Sequence, residues 1–227
     1  TRVCGVYVDL VFFFATAFFL TSVLTFPNNS RDLFSYIAQL RVLGIYGANP
    51  YATSPASFGH DQYLAYSDWP TETMPYGPVW TFLATGWERL FMGDLARDIL
   101  ALRSLLFFFN TASAYLIWRI AAVTRRAQSL FALVLYAWNP IVVLKGQIHV
   151  EPMMVFFMLL GIYLHLCDRW WPALTAWTFS ALVTLLLRSS LRISAACGSV
   201  GRSERGSLPL VVSAVSRLHC SRHSGMA

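Results

Sequence analysis

Asp32 follows an apolar run that ends near residue 26 and opens a helical pattern, in a chain where only 12% of residues are charged. Ionisable groups beside apolar runs are costly, so by default they are read as functional. A carboxylate there would meet a lipid-borne substrate at head-group level and could take a proton from an acceptor hydroxyl as a general base. The plainer reading is an acid that complements the positive end of a helix dipole. Arg31, beside it, has the planar donor fork that suits a phosphate. A second group is Asn49-Pro50-Tyr51, Asp61, Trp69 and Tyr76-Gly77-Pro78. The prolines fix φ there, and Gly77 permits a tight turn into the next helix. Loop packing or an interfacial aromatic belt accounts for most of these residues one by one, and a sugar-stacking platform is the functional alternative. The third group is Lys145-Gly-Gln-Ile-His149-Val-Glu151, which carries the only lysine of the chain. Lys145 could neutralise a phosphate while His149 and Glu151 orient a sugar or phosphate; ordinary loop polarity is the bland reading. His149-x-Glu151 is too short for the zinc motif with two histidines four apart on a helix, so no metal is expected.

These residues must be held by elements that are mostly apolar. Of 227 residues, 56% are hydrophobic and 15% aromatic, far from the composition of a soluble domain. Collagenous, disordered and small disulfide-framework proteins are excluded. Residues 3–26 supply a first membrane-length helix, too long for a signal peptide and without a small-residue cleavage site. Residues 31–43 place Leu33, Phe34, Ile37, Leu40 and Leu43 at helical spacing. Asn29 or Ser30 could cap the start and Gly44 suits the end, giving a short amphipathic helix fit for the membrane interface. Residues 46–78 hold five prolines and four tyrosines ahead of Tyr76, too aromatic for a linker. Further apolar stretches run over 79–92, 99–123, 130–144, 153–167 and 171–187, with Asn139-Pro140 inside the third. The expected fold is therefore all-α, a multi-pass membrane protein of about five to six spans. An interfacial helix lies in the first extracytoplasmic loop, residues 30–78. If 79–92 spans, the Arg125-Arg126 loop shares a side with that loop; if it is a half-helix, the two lie on opposite sides.

The net charge of +6 is mostly a property of the tail. Residues 188–227 contain six arginines, one acid, ten serines and no aromatic residue; all 35 aromatics precede them. Residues 1–187 are nearly neutral, so the basic pI is no argument for a nucleic-acid partner. The tail reads either as a basic cytoplasmic extension or as an out-of-frame product, and the break in mid-helix favours the second. His219-Cys220-x-x-His223 with Cys197 lacks the paired ligand spacing of a zinc site. Asn28-Asn29-Ser30 is formally a glycosylation sequon, a weak signal.

The ordered set Ser30-Arg31-Asp32-Leu-Phe-Ser-Tyr36, Gly47-Ala-Asn49-Pro50-Tyr51, Asp61, Trp69, Tyr76-Gly77-Pro78, Trp138-Asn139-Pro140 and His149-Val-Glu151 resembles the GT-C membrane glycosyltransferases. Among these it is most similar to bacterial polyprenol-phosphate-mannose-dependent mannosyltransferases, over roughly residues 5–187. The resemblance implies a polyprenyl-phosphate sugar donor, mannose as the sugar, a glycan or lipid-linked acceptor, membrane lipids as surroundings and residence in the bacterial cell membrane. It implies an essential acid in the first extracytoplasmic loop, which by position is Asp32. Arg31, Tyr36, Asn49, Tyr51, Asp61, Trp69, Tyr76, Lys145, His149 and Glu151 then become candidate substrate-binding residues. The chemistry is self-consistent, since polyprenyl phosphate is a good leaving group and one carboxylate base suffices for a single inverting displacement. Glycoside hydrolases generally need two carboxylates. No Gly-rich cradle for a nucleotide sugar is present, and no cofactor is expected.

Family members carry about ten or more membrane helices, so the chain reads as an N-terminal fragment, expected to be inactive alone. The alternatives are a transporter or flippase, which would put acids in mid-span and show internal repeats, and a non-catalytic scaffold, which leaves the polar loop unexplained. Resequencing from codon 175 tests the tail: another frame is expected to resume aromatic-rich membrane helices, and its absence would make the basic tail genuine.

Overall fold

Twenty-three residues without proline, rich in phenylalanine, form the first helix, α1 (Arg2–Leu24). At 1.5 Å per residue it is ~35 Å long, enough for a hydrocarbon core of about 30 Å. In this computed structural model, which describes residues 2–25, 30–91 and 94–184, the regular structure is helical, with no strand among the described residues. After α1 come α2 (Asp32–Gly44), α3 (Pro78–Arg89), α4 (Leu95–Thr124), α5 (Ser129–Ala137), α6 (Pro140–Lys145), α7 (Glu151–Leu166) and α8 (Trp170–Thr184). Short 3-10 turns occupy Pro55–Ser57, Gln62–Ala65 and Arg126–Gln128. The sequon Asn28-Asn29, the tail from 188 and its Cys197, His219, Cys220 and His223 lie outside the described residues.

Two helices, at Val6–Leu24 and Leu95–Thr124, are long and apolar enough to cross a membrane. The other apolar stretches form shorter helices. Residues 130–144 divide because Pro140 has no N–H to continue α5; it instead starts α6, where Asn139 Oδ1 accepts the Ile141 N–H at 2.9 Å. Large apolar side chains such as Phe13, Phe82, Phe108, Phe131, Ile141 and Trp171 remain exposed.

The helix pairs fix the direction of each element. Phe12 of α1 meets Tyr115 and Trp118 of α4, and buried Arg103 of α4 donates to the carbonyls of Ser22 and Thr25 at the other end of α1, so the two run antiparallel. Phe109 packs on Phe156 and Phe157, and the Arg119 guanidinium donates to the Tyr163 hydroxyl at 2.8 Å, so α4 and α7 run parallel. Phe157 meets Phe179, and His165 meets Trp170, so α8 returns antiparallel to α7. These two can approach closely because position 161 is glycine; a Cβ there would lie 2.3 Å from the Trp177 ring.

The α2 helix is the amphipathic segment read from the sequence, but its setting differs. Leu33 to Leu40 are all buried, the polar Ser35 and Gln39 included. The reason is the 46–78 segment, which folds back over the polar side of the helix. Ser35 Oγ accepts from Ser67 Oγ at 2.9 Å and from the Asp68 N–H at 3.2 Å. Arg41 pairs with Asp61 at 2.9 Å and with Asp98 of α4 at 3.5 Å. Polar positions that alternate with apolar ones thus face a loop rather than water. The helix start also differs from the capping expected. Arg31 is the N-cap residue without a side-chain cap bond, and Ser30, one residue earlier, accepts the Asp32 N–H at 3.2 Å.

Packed within α3 lies Glu88, 1% exposed, with no hydrogen-bond partner for either carboxylate oxygen among the described residues. Twelve residues of α3 rise ~18 Å, too short to cross a bilayer. Burial pushes the Glu88 pKa up from 4.5 to about 8, with Asp98 adding to the shift and Arg41 opposing it. The folded protein keeps this proton while the unfolded chain loses it. Glu88 therefore costs nothing below about pH 4.5 and progressively more as pH rises to about 8; at ~1.4 kcal/mol per unit the cost reaches several kcal/mol. Glu88→Gln is expected to raise the melting temperature in detergent at pH 8.5 much more than at pH 5. An equal gain at both values would remove ionisation as the cause.

Candidate active site

The helix directions place the N-terminus of α2, the N-terminus of α3 and the turn between α6 and α7 at one end of the molecule. The Gly77 N–H donates to the Val183 carbonyl at 2.9 Å and ties α8 to that same end. Arg125, Arg126, Asp168 and Arg169 lie at the opposite end, on the turns that follow α4 and α7.

Asp32, in the first turn of α2, points its Oδ2 toward two partners. Ser30 Oγ donates to it at 2.7 Å, and His149 Nδ1 stands 3.8 Å away. Both side chains of that pair are part-exposed, at 33% for Asp32 and 26% for His149, so the carboxylate is reachable and incompletely desolvated. One helical turn on, the Tyr36 hydroxyl shares a 2.8 Å hydrogen bond with that of Tyr76. Burial pushes both phenols upward, and the Asp32 and Glu151 charges push them further. They are neutral hydroxyls able to donate and accept. Their rings form an edge-to-face trio with buried Trp80, at 5.3 to 6.1 Å between centroids. Asp32, Tyr36, Tyr76, His149 and Glu151 are thus one neighbourhood.

His149 and Glu151 also line a cavity of about 300 Å³ with Lys145, Asn110, Tyr136 and Gly146. Its other walls, Ile141, Val142, Pro152 and Val155, are apolar. A charged ammonium beside apolar walls is a setting for an anionic head group on a greasy chain. Among the described residues no three His, Cys, Asp or Glu side chains converge on a metal-sized site.

The remaining sequence candidates lie elsewhere. The Arg31 guanidinium is engaged by the loop, with Asp68 at 3.1 Å and the carbonyls of Ala65 and Tyr66 at 3.2 Å. Asp61 serves the loop anchor, accepting from Arg41 at 2.9 Å, the Tyr46 hydroxyl at 2.8 Å and the Tyr63 N–H at 3.0 Å. Asn49 and Tyr51 line a second cavity of about 400 Å³ with Leu43, Gly47, Thr81 and Phe82. Asn49 Oδ1 accepts the Tyr51 N–H there, and the Tyr51 hydroxyl bonds Thr81. Trp69 is 56% exposed.

Residues 7–193 match the family described as alpha-(1->6)-mannopyranosyltransferase, N-terminal domain. The chain belongs to this family. It is 31% identical over 180 residues to alpha-(1->6)-mannopyranosyltransferase B of Corynebacterium glutamicum, covering 73% of this chain and 29% of that protein. It is also 31% identical over 144 residues to an alpha-(1->6)-mannopyranosyltransferase of Mycobacterium tuberculosis, covering 60% of this chain and 24% of that one. The mannosyltransferase resemblance read from the sequence is borne out. The chain spans under a third of the length of these relatives. No solved structure gives a significant match.

Asn110 and Tyr136, which line the cavity, were not among the residues singled out by sequence. The available signal was a lone amide inside the apolar stretch 99–123, the kind of polar group that lipid-facing helices rarely keep without a partner. The Tyr36–Tyr76 bond yields a test. Tyr36→Phe or Tyr76→Phe leaves the other, part-buried hydroxyl without this bond, expected to cost about 1–3 kcal/mol. The double variant removes both groups and is expected to cost no more than the worse single one. Thermal unfolding in detergent measures this, and simple additivity would contradict the pairing.

Proposed function

We propose that the chain forms the N-terminal part of a multi-pass transferase of the bacterial cell membrane, moving mannose from a polyprenyl-phosphate donor to a hydroxyl of a glycan or lipid-linked acceptor on the extracytoplasmic side. The observation that carries this reading is the approach of Asp32 to His149 at 3.8 Å, at the end of the molecule where Lys145 borders a largely apolar cavity. Membership of the mannopyranosyltransferase family supports the sugar.

In this reading α1, α4, the broken pair α5 and α6, α7 and α8 cross the bilayer, and α3 does not. Asp32 then faces outward, and Arg125, Arg126 and Arg169 face the cytoplasm. The 70-residue connection between α1 and α4 is long enough to escape the positive-inside rule, so its own arginines do not oppose this orientation. Residues 1–187 act as one membrane module, with 30–78 outside, and 188–227 are not part of it.

The chemistry is a single displacement. An acceptor hydroxyl gives its proton to the Asp32 carboxylate as its oxygen bonds the anomeric carbon of mannose. The bond from that carbon to the phosphate oxygen breaks, and the polyprenyl phosphate leaves with its charge neutralised by Lys145. His149 holds the carboxylate in place, and the paired Tyr36 and Tyr76 hydroxyls and Glu151 meet the sugar hydroxyls. One base suffices because the leaving group needs no proton, unlike the alcohol released in glycoside hydrolysis.

In a full-length protein bearing these residues, Asp32→Asn is expected to lower transfer from a polyprenyl-phosphate mannose by roughly 10²-fold or more, with membrane insertion unchanged. Transfer at the unsubstituted rate would remove Asp32 as the base.

A further inference from the structure

We infer that Asn110 is a positioning residue that fixes the turn between Lys145 and His149, and thereby sets how tightly the cavity holds a phosphate. This rests on the phosphate reading of the proposed function. Asn110 is 1% exposed within the apolar α4 helix. Its amide joins three elements. Nδ2 donates to the Gly146 carbonyl at 2.6 Å, and Oδ1 accepts from the Tyr136 hydroxyl of α5 at 3.1 Å.

Gly146 is the pivot of the turn. Its N–H closes α6 on the Val142 carbonyl at 3.0 Å, while the Ile148 and His149 N–H groups return to the Lys145 carbonyl at 3.0 and 3.3 Å. A Cβ at position 146 would lie 2.3 Å from the Val142 oxygen and 2.6 Å from Asn110 Nδ2. The glycine and the amide therefore fit each other, and a side chain at 146 would clash with both Val142 and Asn110. Lys145 precedes this pivot, and His149, which meets Asp32, follows it. Pulling Gly146 toward α4 moves the ammonium and the imidazole together relative to the apolar walls. Packing alone would be served by a leucine at 110. The amide adds two directed bonds, both ending on residues that line the cavity.

The experiment is a titration of the purified chain in detergent with citronellyl phosphate, a short isoprenyl phosphate, alongside citronellol and inorganic phosphate. The readout is phosphate discrimination, the ratio of the citronellol to the citronellyl phosphate dissociation constant. A merely structural role would weaken both ligands alike and leave that ratio unmoved. Asn110→Leu is expected to reduce the ratio roughly tenfold while citronellol binding holds.

Asn110→Asp supplies a second, pH-dependent comparison. A protonated carboxyl can donate to the Gly146 carbonyl and accept from Tyr136 as the amide does, whereas an ionised one cannot donate. Its ratio relative to the unsubstituted chain is therefore expected to be low at pH 8 and restored at pH 5.5. Lys145, His149, Glu151 and Tyr136, the titratable groups facing the same cavity, are common to both proteins, and the unsubstituted chain shows their effect without the added carboxyl. Should Asn110→Leu fail to fold, Asn110→Ala, which removes both bonds without adding charge or bulk, takes its place, because an ionised aspartate on the cavity wall would also repel the phosphate directly. Unchanged discrimination in the variants, or no recovery at pH 5.5, overturns the positioning role. If the unsubstituted chain shows no preference for citronellyl phosphate over citronellol, the phosphate reading of the cavity fails, and the positioning role fails with it. Inorganic phosphate binding as tightly as citronellyl phosphate would assign the site to a free anion and overturn the lipid-phosphate source.

Discussion

Arg41 carries the arrangement of everything packed over α2. It is the cation between Asp61, on the long connecting segment, and Asp98, at the start of α4, and its guanidinium lies 4.7 Å from the Tyr63 ring centre. Burial alone would lower its pKa, yet the bond to Asp61 and the surrounding acids outweigh that and the net shift is upward. Removing one partner of a buried ion pair is far worse than never having the pair, since the survivor is left charged in a poor solvent. Without Arg41 three acids, Asp61, Asp98 and Glu88, would share a dehydrated space. The connecting segment would lose its anchor, and the polar side of α2, Ser35 and Gln39, would lose its cover. Asp32 sits on that helix, so its position is inherited from an interaction about two and a half turns away.

The helix directions do the rest. Because α1 and α4 are antiparallel and α5 and α6 return toward the start of α4, residues 117 apart in sequence, Asp32 and His149, arrive at 3.8 Å. Arg103 contributes by gripping the carbonyls of Ser22 and Thr25 at the C-terminal end of α1. A helix end leaves such carbonyls without intrahelical donors, and an apolar environment offers no water to replace them. One guanidinium thus satisfies the end of α1 and fixes the level at which the chain leaves it for Asp32.

Much of this was legible in the sequence because it depends on local rules. The Asn139-Pro140 break, the Pro78 start of α3 and the α2 span within a residue or two all follow from proline chemistry and apolar spacing. The choice of Asp32, His149 and Glu151 as neighbours in function rested on order along the chain, and the structure brings them to one end. What was not legible depends on partners distant in sequence. The polar side of α2 reads as water-facing until the 46–78 segment is laid over it. Asp61 reads as a substrate contact until Arg41 and Tyr46 claim it. Asn110 is unremarkable until Gly146 is found against it, since a glycine at a turn has many uses and only the close approach of an amide singles out this one.

The broken helix at Asn139-Pro140 is then a consequence of the cavity rather than an irregularity beside it. Non-helical backbone is tolerated at membrane depth where it is enclosed by protein or lines a cavity. Here Tyr136 and Ile141, on either side of the break, line the cavity, while Trp138, Asn139 and Pro140 themselves are exposed. Asn139 caps the new helix with its own side chain, and the six residues of α6 end at Lys145 and Gly146 beside the opening. An unbroken α5 would continue along its axis and leave the only lysine of the chain on a helix face. By ending α5 and restarting six residues short of a glycine pivot, the chain places an ammonium, an imidazole and an amide around one space. The same break leaves Ile141 exposed at 70%, with Val142 on the cavity wall. The cavity thus adjoins an apolar exterior flank, which is what the proposed lipid-linked donor would need to enter it.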